Sequence, residues 1–168
     1  MNGGARQATG LLILYPVNQS NQLVVFTLDE QHYALHLASV ERVARRVELT
    51  PLPKAPAIVL GVINVQGRII PVVNLRKRFG LVERGIRLSE HIILAHTLKR
   101  AVALVVDAVH GIIERSQQEV IAAEEILPGL DYLEGVTKLE GGLILIHDLG
   151  TFLSFEEEKE LDAALNQL

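Results

Sequence analysis

Six histidines, His32, His36, His91, His96, His110 and His147, are the side chains best suited to acid–base work or metal binding, and no cysteine supplements them. The closest pairs are spaced wrongly for a shared ion. On a strand His32 and His36 share a face but stand roughly 13 Å apart, while His91 and His96, five apart, face opposite ways. His110 and His147 fall near the ends of apolar strands, the place of a surface or hydrogen-bonded core histidine. Asp107 and Asp148 also end strands, where turn or capping work is the simpler reading than paired acid–base catalysis. No G-x-S-x-G, H-E-x-x-H, Walker A or G-x-G-x-x-G motif occurs, and Gly141–Gly142 suits a hairpin turn. The expectation is a protein without catalysis, metal or cofactor.

A basic set, Arg42, Arg45, Arg46, Arg76, Lys77 and Arg78, has the chemistry to touch phosphates. The net charge of −4 and the lack of a helix-turn-helix or zinc pattern argue against DNA, and seven aromatic residues with no tryptophan argue against single-strand stacking platforms. Charge divides unevenly: ten bases and five acids precede residue 85, six bases and fifteen acids follow. That asymmetry either orients a partner touching both halves or records an acidic C-terminal helix, where Glu156, Glu157, Glu158, Glu160 and Asp162 lie.

With 168 residues, 49% of them apolar, the chain can bury roughly 68–70% of its unfolded surface without a disulfide or structural metal. The missing thiols fit a reducing compartment, so cytoplasm is expected. No apolar run approaches a membrane span, and Leu11 to Val17, seven residues containing Pro16, makes a poor signal peptide. Residues 1–22 read as a tail, partly mobile, in which 11–17 covers a sheet edge or serves as a docking peptide.

Residues 23–168 read as one mainly β domain. LVVFTL (23–28), a turn at Asp29 to His32 and YALHL (33–37) form a hairpin. After the charged stretch VERVARRVEL (40–49), Pro51, Pro53 and Pro56 mark an irregular crossing with at most one helical turn near Ala55 to Leu60. GVINV (61–65), a Gln66–Gly67 turn and IIPVVNL (69–75) make a second hairpin, with an edge or bulge expected at Pro71. This hairpin recurs: GVINVQGRIIPVVNL (61–75) aligns without gaps on GVTKLEGGLILIHDL (135–149) at an offset of 74, and YALHLASV (33–40) falls on VALVVDAV (102–109) at 69. The repeat predicts two similar β-subdomains, each contributing one copy. Residues 116–132 are mixed and end at Pro128–Gly129. A Ser154/Glu157 capping box opens an amphipathic helix at the C-terminus.

In order, VVFTLDEQHYALHLASVERV, TPLPKAPAIVLGVINVQGRIIPVVNLRKRFG, AVALVVDAVHGII and DYLEGVTKLEGGLILIHDLGTFLS resemble the CheW-like family of bacterial chemotaxis coupling proteins over about residues 22–166. The resemblance implies two small five-stranded β-barrel subdomains with short helices. It also implies a non-enzymatic adaptor joining the cytoplasmic helical tip of a chemoreceptor to the regulatory domain of a CheA-type histidine kinase, recruited to membrane-associated receptor complexes. Other CheW-like domains are further possible partners, in rings or arrays. Carried over by motif, partner-binding positions fall at Val40 and Arg42, with Val43 beside them, and at Ile63, Asn64, Val65 and Gln66. The family commonly has an acid where Arg42 stands and an arginine where Gln66 stands, which points to altered receptor choice or to neutral drift. Strand parity lets either Ile63 or Asn64 face a partner, not both. The alternatives are a kinase inhibitor without receptor coupling, and a small-ligand regulator or enzyme using a groove between the barrels with His110, His147 and Asp148.

Overall fold

The computed structural model describes residues 20–45, 48–85, 87, 90–126 and 132–168. The 11–17 segment, Arg46 and the Pro128–Gly129 turn of the sequence reading lie outside them. Strands β1 (Ser20–Leu28) and β2 (Gln31–His36) form the first hairpin. Its turn is Asp29–Glu30, both at positive φ (49° and 70°), the handedness that matches strand twist. A 3₁₀ turn, Leu37–Ser39, leads into β3 (Val40–Arg45). The crossing with at most one helical turn near Ala55 to Leu60 is made by reverse turns alone, which carry the chain straight into β4 (Val59–Val65). Gln66–Gly67 then turns it into β5 (Arg68–Val73), and Asn74 caps a one-turn helix α1 (Leu75–Arg78) by accepting the Lys77 N–H.

The second half runs β6 (His91–His96), β7 (Ala101–Val106), β8 (Ala108–Ser116), a 3₁₀ turn, β9 (Val120–Ala122), α2 (Ala123–Ile126), β10 (Leu133–Leu139) and β11 (Gly142–His147). Asp148 caps the next 3₁₀ turn by accepting from Gly150 N–H, and the Ser154/Glu157 capping box opens α3 (Phe155–Leu165).

The strands make a six-stranded sheet, β8-β1-β2-β11-β10-β9, and a five-stranded one, β3-β6-β7-β5-β4. The offset of 74 carries the bounds of β4 and β5 onto those of β10 and β11, including a register shift before Gly61 and before Gly135. The offset of 69 is equally structural: Ala34 pairs with Ile146 as Ala103 pairs with Val72. The Thr50–Val62 bridge occupies the place that Ile121–Val136 holds beside β10, and extension there to the three-residue β9 gives one sheet its sixth strand. The sheets do not coincide with the halves of the chain. Strand β3 leaves the β1–β2 hairpin to pair with β6, and β8 leaves the β6–β7 hairpin to pair with β1, so each sheet draws on both repeats. Strand β5 is internal, but β7 joins it only at Val72 and Val73, so Pro71 needs no donor toward β7.

Three apolar clusters follow. One lies on the β4–β7 sheet (Ile63, Val65, Ile70, Val72, Ile92, Leu94, Ala103) and one on the other sheet (Leu23, Val25, Ala34, Ile144, Ile146). The third joins the sheets, with Phe26 and Leu35 from one, Val62, Ile93 and Leu104 from the other, and Phe152, Leu161 and Ala164 from the C-terminal segment. Strands such as β1 and β4 are therefore buried on both faces, which explains their near-continuous apolar runs.

Candidate partner-binding surface

The candidate positions converge where edge strand β3 meets the tip of the β4–β5 hairpin. Glu41 on β3 and Arg68 at the start of β5 join in a two-point ion pair at 2.9 and 3.2 Å, and His96 Nε2 at the end of β6 lies 3.1 Å from Glu41 Oε1. The hydrogen bond and charge of the Arg68 guanidinium hold the Glu41 carboxyl below the usual carboxylate range. At the tip, Asn64 Oδ1 accepts the Gly67 N–H at 2.8 Å, tying the turn to its own strand and leaving Gln66 at the apex with φ 52°.

Burial sorts the seven positions. Arg42, Val43 (41% exposed), Asn64 and Gln66 face solvent, and Val40 is half-buried against the inter-sheet cluster. Ile63 (2%) and Val65 (8%) do not touch solvent enough to dock a partner: they are core, opposite Ile70 and Arg68, and their role is to support the hairpin. Ile63 is therefore excluded from direct contact and Asn64 is the residue on display. Two surface members, Arg68 and Ile69, escaped the sequence reading, and Glu41 entered it only as an acid one place before Arg42. Ile69 stands directly opposite Asn64 and is exposed, as the pairing of Ile63 with Ile70 requires.

The residues weighed for chemistry serve the scaffold. Arg76 is buried and clamps Asp29 at 2.9 Å and Asp107 at 3.0 Å. Asp107 also accepts from Arg84 at 2.5 Å and from the Asp29 backbone N–H at 2.8 Å, so it is a node between the β1–β2 turn and the end of β7. Arg78 pairs with Glu157 at 2.7 Å, anchoring α3. Two arginines of the basic run are thus committed internally, beyond the turn and capping roles expected of the aspartates.

His147 is buried, with Nδ1 3.1 Å from the Tyr132 carbonyl and its ring stacked on Phe79 at 4.3 Å between centroids. Burial pushes its pKa down to about 4. The unfolded chain therefore binds a proton that the native fold refuses between pH 6.5 and 4, and stability falls as pH is lowered through that window. Between pH 7 and 4.5 the protein is expected to lose about 2 kcal/mol more than a His147→Phe variant, measured by urea unfolding at both pH values. Equal losses would refute the assignment.

Comparison with known proteins bears on the family and the fold. The chain matches the CheW-like domain over residues 22–157. It is 30% identical over 144 residues to the chemotaxis protein CheW of Rhizobium meliloti, covering 84% of this chain and 93% of that one. To the chemotaxis protein CheW of Thermotoga maritima it is 32% identical over 139 residues, 83% and 91% of the two chains. The crystal structure of the scaffolding protein TtCheW from Thermoanaerobacter tengcongensis superposes with a TM-score of 0.74 at 32% identity, over 82% of this chain and 94% of the other. The paired hairpins, the exchanged strands and this sequence similarity agree: the chain belongs to the CheW-like domain family.

Proposed function

We propose that this protein is a non-enzymatic scaffold of bacterial chemosensory signalling, coupling the cytoplasmic helical tip of a chemoreceptor to the regulatory domain of a CheA-type histidine kinase. The observation that carries the reading is the match across residues 22–157 to a family whose relatives are named chemotaxis proteins and, in one case, a scaffold. The exposed set Arg42, Val43, Asn64, Gln66 and Ile69, with half-buried Val40 beside it and braced by Glu41–Arg68, offers the receptor a small apolar surface with polar residues to fix register. The edge strands of the two sheets offer backbone to a kinase domain of like fold. No helix among the described residues is long and apolar enough to cross a membrane, in keeping with a cytoplasmic adaptor recruited to membrane-associated receptors.

Arg42 and Gln66 reverse and remove charges that the family commonly carries, which supports a coupling protein specialised in its receptor. Charge complementarity acts strongly on partner choice. Gln66→Arg is expected to shift affinity for the cognate receptor tip by about tenfold, within the ~1.4 kcal/mol a well-placed charge commands. Calorimetric titration of both forms with a receptor-tip helical hairpin measures it, and unchanged affinity would remove the specialisation.

A further inference from the structure

The histidines that cannot meet along the chain meet across it. His32 on β2 and His110 on β8 flank β1 and bring their rings to 5.2 Å between centroids, tilted by 36°. The register explains how. Thr27 pairs with His32, while β8 carries an extra residue at His110, between Gly111 opposite Val25 and Val109 opposite Phe26. Gly111 at φ 112° permits this bulge, and a bulge re-aims the side chain it carries. His110 Nε2 is thereby directed to the Thr27 hydroxyl at 3.1 Å, toward the residue beside which His32 stands. Thr27 is buried and ends the row Leu23, Val25, Thr27, whose first two members line an apolar cluster.

The geometry points to His32 and His110 as a two-histidine site for a divalent transition metal ion such as Zn²⁺, with water completing the coordination shell. Two imidazoles sharing one ion through nitrogens at about 2.0–2.1 Å, at a near-tetrahedral angle, have ring centres about 5 Å apart. The observed ring spacing of 5.2 Å matches that separation, and a ligating nitrogen of His110 is either Nδ1 or an Nε2 that exchanges the Thr27 hydroxyl for the ion. Neither imidazole is tied to a carboxylate in the way that His36 is to Glu134 at 2.8 Å. No group of three or more His, Cys, Asp or Glu that could hold a metal occurs among the described residues, so the site is weak and exchangeable, not a structural zinc centre. An ion there would tie β2 to the edge strand β8 across β1, stabilising the sheet by mass action. This inference stands apart from the coupling role and does not depend on it.

The test is a ZnCl₂ titration of the full chain, followed by the histidine ring-proton resonances and by thermal unfolding. Expected are saturable one-to-one binding, joint perturbation of the His32 and His110 rings, and a melting point raised by a few degrees. His32→Gln and His110→Gln should each weaken binding at least tenfold, with His36→Gln leaving it intact. Perturbation of other histidines first, binding insensitive to His110→Gln, or no saturation by millimolar zinc would each overturn the proposal. The wild-type resonances carry the decision if a variant folds poorly.

Discussion

Gly61→Ala is expected to destabilise the fold by about 3 kcal/mol or more, the range reached when a special backbone position and a buried contact are lost together. A Cβ at Gly61 would stand 2.4 Å from the Thr50 carbonyl oxygen, a distance that real Cβ atoms do not show, and the residue sits at φ 153°. Thr50 cannot step aside freely, because its N–H donates to the Val62 carbonyl and its carbonyl accepts the Val62 N–H, both at 2.8 Å. The repeat supplies internal controls. Gly135, the equivalent residue, would meet the Ile121 carbonyl at 2.8 Å without a positive φ, so Gly135→Ala should cost less, about 2 kcal/mol. Gly67, at φ 86° with open space around it, isolates the backbone term, and Gly67→Ala should cost about 1 kcal/mol. Urea unfolding midpoints rank the three. Equal costs at Gly61 and Gly67 would show that the close approach of Thr50 is not what demands glycine.

The second large effect separates surface from core within one candidate site. Val43→Glu places a charge on the exposed face of β3, where water reaches it, and should change the melting point by no more than a few degrees. Receptor-tip binding should fall by about a hundredfold, the ~2–3 kcal/mol lost when an apolar contact at the centre of an interface is replaced by an unpaired charge. Ile63→Glu should behave oppositely. Ile63 is buried among Ile70, Val72, Ile92 and Leu94 with no partner for a carboxylate, so the variant should fail to fold. Paired melting and binding measurements check both. A Val43→Glu protein that unfolds, or an Ile63→Glu protein that melts normally and loses only binding, would invert the assignment of faces.

That inversion was open from the sequence for a physical reason. Alternation along GVINV separates Ile63 and Val65 from Val62 and Asn64, but both Val62 and Ile63 are buried because the sheet has a cluster on each face. Period two tells which residues share a side and cannot tell which side meets a partner when both are covered. The β4–β5 hairpin itself was legible, since Gln66–Gly67 is a turn dipeptide between apolar runs, and so was α3 from its capping box. The gapless repeat foretold a second copy of the hairpin over 135–149; it lies at 133–147, shifted just as β4–β5 lies at 59–73 and not 61–75. It did not foretell the exchange of β3 and β8 between sheets, because a repeat records local structure and not which copy it pairs with. Strand β3 carries no alternating burial, being an exposed edge, so VERVAR reads only as charged. The same gap hid the buried Arg76, whose partners Asp29 and Asp107 lie 47 and 31 residues away, and the meeting of His32 with His110.

The coupling role stands or falls on a kinase partner. Titration calorimetry of the full chain against the regulatory domain of a CheA-type kinase from the same genome is predicted to give saturable one-to-one binding with a Kd of about 10 µM or tighter, about −7 kcal/mol. No binding to any such domain encoded in that genome would contradict the proposed function while leaving the CheW-like fold in place.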